Sequence, residues 1–153
     1  MATTKKVISM YKYIPCDQSN DYFIAKLGPI ISYRFESKVF ELAKKMISGY
    51  SKGFWRAANA NGVPLLIIDD TANITIKDHI NQRTYTMSHE MASIIICLYA
   101  YDHILNELSF ANSSAETAQL INRLCIHRFN LYDQAKEYAE AKRQDLYLAL
   151  LLD

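Results

Sequence analysis

Between Met91 and Tyr101, ten of eleven positions are apolar, and Ser93 is the exception. A helix that is apolar on every side has to be covered on every side. The stretch is too short for the roughly 20 residues a bilayer crossing needs, so its cover must be protein. Ser88 is placed to cap such a helix, which is predicted to run to about Leu108 and to be the central buried element. The rest of the chain has to supply the layers around it.

The segment before it supplies strands. Phe54 to Ala58 is predicted as a strand, and Asn59-Ala60-Asn61-Gly62 offers residues that tolerate positive φ, so the chain reverses there. Val63 to Ile68 is a β-branched and leucine-rich run. Its Pro64 cannot donate to a ladder and belongs at the start of a strand or on an edge. Asp69 to Asn73 reads as a second turn, Ile74 to Lys77 alternates like a third strand, and a polar loop then runs to Met87. The expectation is an antiparallel three-stranded meander.

Helices flank it. Residues 7–14 read as an N-terminal extended segment ended by Pro15. Asp17 or Ser19 could cap a short helix that stops at Gly28-Pro29. Phe35, Val39, Leu42 and Met46 recur at spacings of four, three and four, which is one face of a helix. Gly49 is placed to end it. Ser113 and Glu116 have capping-box spacing and open a long helix with Leu120, Ile121, Leu124, Cys125, Phe129, Tyr132 and Ala135 as its apolar positions. A last helix is predicted from about Gln144 to Leu152. The fold class is α+β: about four to five helices around the small sheet, in one domain over residues 1–153, since the chain falls in the usual range of roughly 100–200 residues per domain.

At 50% hydrophobic and 22% charged, the chain has the composition of a globular protein rather than a disordered one. Three widely separated cysteines, Cys16, Cys97 and Cys125, suit reduced thiols in a cytoplasmic protein better than a disulfide framework. The apolar part after Lys5-Lys6 is too short for a signal peptide. Seventeen basic against sixteen acidic residues leave a net charge of +1, neither the basic balance of a strong nucleic-acid binder nor the acidity of a DNA mimic.

Sites that would carry chemistry are incomplete. His89-Glu90 is half of a zinc-protease motif, but position 93 is serine, where the second histidine would stand. Cys125 and His127 lie two apart on a helix and point away from each other, so Cys125 reads as a buried structural cysteine and not as a base-activated nucleophile. Asp69-Asp70 with Thr75-Ile76-Lys77 has the outline of a nuclease hairpin, yet Thr75 stands where a carboxylate would hold the metal. The four glycines, Gly28, Gly49, Gly53 and Gly62, have no phosphate-loop spacing. No catalytic residue, cofactor or metal is expected. What remains is a surface: Tyr50, Lys52, Phe54, Trp55 and Arg56 are candidates for partner contact, with Gly49, Gly53, Asn61 and Gly62 as turn positions. Arg34, Lys38, Lys44 and Lys45 could extend it toward nucleic acid, because cations beside aromatic rings are what single strands bind.

Taken together, the helix Glu36 to Ser48, Tyr50-Ser51-Lys52-Gly53-Phe54-Trp55, the Asn61-Gly62 turn, Met87-Ser88-His89-Glu90-Met91-Ala92 and Phe129 to Ala139 resemble, in order and spacing, the ArdB/KlcA antirestriction family of plasmids, phages and other mobile elements. The likeness spans roughly residues 15–153. It departs at Lys52, where a glycine is usual, and at Val63-Pro64, which replaces a glycine–aromatic pair. The resemblance implies a compact α+β domain that relieves type I DNA restriction. It implies no catalytic residues. With the near-zero charge, it points to a non-enzymatic protein that does not mimic DNA and acts on the type I machinery, or on a factor regulating it, as a monomer or weak dimer. The alternative is a small nucleic-acid-binding accessory protein of a plasmid, phage or prophage.

Overall fold

The computed structural model describes residues 10–50, 53–69, 72–78, 82–110 and 114–143. The predicted helix from about Gln144 to Leu152 and the candidate residue Lys52 lie outside the described residues, as do Asp70 and Ser113. The remainder is α+β, with four α-helices and two small antiparallel sheets among the described residues.

Within the extended N-terminal segment, Lys12–Tyr13 forms strand β1. A single 3-10 turn, Cys16–Gln18, leads into helix α1, Ser19–Leu27. Gly28 ends α1 at φ 80°, where its N–H reaches Ile24 O at 2.8 Å. Pro29 then opens helix α2, Pro29–Met46, with no N–H to leave unpaired. The helix thus begins six residues before Phe35, because Ile31 extends the buried stripe of Phe35, Val39, Leu42 and Met46 by one more turn. It also stops before Gly49: Ile47 is already extended and bridges to Ile76. Gly49 serves the bend that follows, at φ 75°.

Strands β2, Trp55–Ala60, and β3, Val63–Ile68, pair through a two-residue turn in which Ala60 faces Val63. Asn61 and Gly62 have φ of 49° and 92°, the double positive φ of a type I′ turn, whose twist matches that of the strands. Asn59 Oδ1 accepts from Gly62 N at 2.8 Å and from the Tyr22 hydroxyl at 2.6 Å. One side chain thereby holds the turn and pins it to α1.

The meander is not formed as expected. The sheet order is β1-β2-β3, so β3 is an edge. Ile74–Asp78 forms β4, which pairs with β5, Arg83–Met87, in a separate sheet. The stretch read as a polar loop therefore ends in a strand. The reason lies in helix α3, His89–Ser109. From α3, Ser93, Cys97 and Tyr101, four apart on one face, reach the outer edge of β3. Ile68 N donates to Ser93 Oγ at 3.0 Å, and Leu66 N donates to Cys97 Sγ at 3.4 Å. Cys97 Sγ donates to Leu66 O at 3.3 Å, and the Tyr101 hydroxyl donates to Pro64 O. The edge that β4 would have occupied is already taken. Pro64, which has no N–H, sits on it without loss.

Ser88 caps α3 by accepting from Met91 N at 3.1 Å, as the sequence predicts. Helix α4, Ala115–Ala141, is capped by Ser114, which accepts from Thr117 N at 3.1 Å, one residue later than the capping box suggests. Only the stripe Leu124, Leu131, Ala135, Tyr138 and Ala139 of α4 is buried. Cys125 and Phe129 are exposed, which corrects the reading of Cys125 as a buried cysteine. A helix on the outside of the fold buries a narrow seam, and both residues fall outside it. Arg128 clamps α4 to α3 through both oxygens of Asp102, at 2.8 and 3.1 Å.

Candidate partner-binding surface

The stretch from Tyr50 to Arg56 links the end of α2 to β2, and its glycine decides its shape. A Cβ at Gly53 would stand 2.8 Å from Tyr50 Cε2 and 3.0 Å from Ile68 Cδ1. The Tyr50 ring therefore lies against bare backbone. Its hydroxyl accepts from Trp55 Nε1 at 3.0 Å, and the indole packs against Phe40 of α2 at 6.3 Å between ring centroids. Trp55 is half-buried, a hinge between sheet and helix. Phe54 is its opposite: 61% exposed, while its carbonyl accepts from Asp69 N at 2.7 Å.

Strand alternation separates the other candidates, since successive side chains leave opposite faces. Trp55 faces α2. Arg56 faces the other way, its guanidinium 3.9 Å from the centroid of the Tyr13 ring. The described residues of the candidate surface thus fall into an inward pair, Tyr50 and Trp55, and an outward group of Phe54 and of Arg56 on Tyr13. Three of the four basic residues of α2 are met by acids, Lys44 being the exception among the described residues. Arg34 pairs with Glu107, Lys38 with Glu41 at 3.2 Å and Glu107 at 3.3 Å, and Lys45 with Glu41 at 3.4 Å. These pairs hold the Glu41 and Glu107 carboxyls below the usual carboxylate range.

The remaining sequence candidates are dispersed. His89 serves α3 through its carbonyl, which accepts from Ser93 Oγ at 2.7 Å. Glu90 accepts from the Tyr11 hydroxyl. The Tyr138 hydroxyl lies beside Glu90 and Ser88. Burial first, and then Glu90, push the phenols of Tyr11 and Tyr138 well above their ordinary range. This knot joins the N-terminal segment, the start of α3 and the end of α4. No local signal marks it, because Tyr11 and Glu90 are 79 residues apart. His127 is half-buried, 6.5 Å from the Tyr101 ring, and its pKa is lowered, chiefly by burial. Thr75 Oγ1 lies 2.9 Å from Thr86 Oγ1, across the small hairpin. Among the described residues, no three His, Cys, Asp or Glu side chains converge as a metal site requires.

No protein-family model and no curated protein matches the chain. Its fold is similar to a solved structure of the KlcA and ArdB proteins, described as having a novel fold and antirestriction activity against type I DNA restriction systems in vivo but not in vitro. The TM-score is 0.71 at 19% identity, over 88% of this chain and 91% of the other. The two share a fold along nearly their whole lengths.

Proposed function

We propose that this protein is a cytoplasmic antirestriction protein of the ArdB/KlcA kind, carried by a mobile element, which relieves type I DNA restriction without catalysing a reaction and without imitating DNA. The observation that carries the reading is the near-complete superposition on an antirestriction fold, together with the motifs from Tyr50 to Ala139 that resemble the family in order and spacing. Charge supports the mechanism. DNA binding is largely electrostatic, and a competitor for a DNA channel needs a dense field of carboxylates. This chain has sixteen acids against seventeen bases, and Glu41 and Glu107 are paired with lysine and arginine. Such a surface acts through contact with a protein or through an effect that needs the cell, in keeping with a neighbour described as active in vivo but not in vitro.

The test is to plate unmodified phage on a type I restricting host with and without the protein expressed. Plating efficiency rises toward that of modified phage if the reading holds; an unchanged efficiency overturns it. Purified protein that displaced DNA from a type I enzyme with a steep salt dependence would reinstate mimicry. A salt-dependent gel shift with the protein alone would favour the nucleic-acid-binding alternative, against which the pairing of Arg34, Lys38 and Lys45 already speaks.

A further inference from the structure

On the inward side of Trp55, a cavity of about 180 Å³ opens between α1, α2 and the first sheet, lined by Ser19, Asn20, Phe23, Ser32, Glu36 and Trp55 among others. Four features give it a chemical character. The indole N–H is already donated to Tyr50, so Trp55 offers its ring and no donor. Among the described residues, no lysine or arginine lines the space. Glu36 makes no ion pair among the described residues, although Arg34, Lys38, Glu41 and Lys45 of the same helix all do. Ser32 is only 7% exposed, lines the cavity, and has no side-chain hydrogen bond among the described residues.

A hydroxyl open to the cavity, an unpaired carboxylate and an indole ring together favour a positive group. A carboxylate only accepts, and a cation over the face of tryptophan is attracted by the ring quadrupole. An anion would meet repulsion at Glu36, with only the first turn of α1, at Ser19 and Asn20, to offset it among the described residues. Size narrows the ligand further, because the volume lies below the roughly 300–1,000 Å³ of pockets that take whole drug-sized molecules. We propose that this cavity binds an organic cation, a guanidinium or primary ammonium group, with Glu36 as counter-charge, the Trp55 ring as its π-face and the Ser32 hydroxyl as a hydrogen-bond acceptor. The proposal stands apart from the antirestriction reading and holds or fails on its own.

Trp55 is the only tryptophan, so its indole N–H resonance and its fluorescence come from a residue in the wall of this site. The intact protein is titrated with N-acetyl-arginine amide, which stands for a side chain of a protein partner, with putrescine, which stands for a free amine, and with uncharged N-acetyl-norleucine amide. A saturable shift of the indole signal with either cation and none with norleucine supports the proposal, and the tighter-binding cation identifies the source. Glu36 is exposed, so Glu36→Gln leaves the fold intact; loss of a charged hydrogen bond weakens binding about tenfold. An indole signal that no cation moves, one that norleucine moves equally, or unchanged affinity in Glu36→Gln overturns it.

Discussion

Gly53 has no side chain to lose, yet a single methyl group there would be felt across two elements. The added Cβ would press on Tyr50 at 2.8 Å and on Ile68 at 3.0 Å, and moving the tyrosine ring breaks its bond to Trp55. Overpacking of this kind costs about 1–3 kcal/mol. Gly53→Ala is accordingly expected to lower the unfolding free energy by that amount, seen as a lower urea midpoint, and to shift Trp55 emission in the folded state. An unchanged midpoint would show that the ring moves freely. His127 sets a pH dependence. Its folded pKa is lowered from 6.5, mainly by burial, so the unfolded chain binds the proton more readily. Stability from this group is fully present above 6.5 and is lost as pH falls through the folded value. Thermal melts between pH 7.5 and 5 should show the loss, and His127→Gln should flatten it; equal slopes in the two proteins would discount the histidine. Burial of His127 is not written in its own neighbourhood, since Tyr101, whose ring lies beside it, is far away in sequence.

Two elements meet through side chains that sequence reasoning treated as filler. Ser93 reads as the one flaw in an apolar helix and Cys97 as core. With Tyr101 they form a row that satisfies the open edge of β3. An uncovered edge invites pairing with another chain, and α3 closes it with polar atoms at every second residue of the strand. Tyr101→Phe leaves Pro64 O buried and unpaired, and Ser93→Ala does the same to Ile68 N; each should cost about 1–3 kcal/mol. Chemical denaturation of the single and double variants checks this, with no measurable loss in either single variant as the contrary result. The helix itself was legible from Met91 to Tyr101 because hydrophobicity is a local signal. The role of its few polar atoms was not, because their partners lie 25 to 37 residues away. For the same reason, the Asn61-Gly62 turn was readable from its residue types, whereas β5 was missed: Arg83, Thr84 and Thr86 are exposed, and a hairpin wet on most of its surface shows little apolar alternation.

Across the whole molecule, α3 is the axis on which the other layers are assembled, and the thiols report on that assembly. Cys97 is buried and its thiol is pushed up to about 12, chiefly by burial; Cys16 and Cys125 are exposed. A protonated, enclosed thiol is inert, because the thiolate is the nucleophile. Iodoacetamide should therefore label two cysteines in the folded protein and the third only on global unfolding. Labelling of Cys97 at the rate of the other two would mean that α3 and β3 separate locally.

The amino-acid sequence by itself determined the α+β class, the central apolar helix with its Ser88 cap, the Gly28-Pro29 break, the place of the hairpin turn and the near-balance of charge. All of these follow from residues within a few positions of one another, or from a sum over the chain. Tertiary structure decided the rest. It placed β1 beside β2, closed the edge of β3 with α3, turned Cys125 and Phe129 to solvent, and set Trp55 against α2 and Arg56 on the Tyr13 ring. It also brought Ser32 and Glu36 to the lining of one cavity. Those outcomes depend on which distant surfaces meet, and a contact between Tyr11 and Glu90 or between Pro64 and Tyr101 leaves no trace in local sequence.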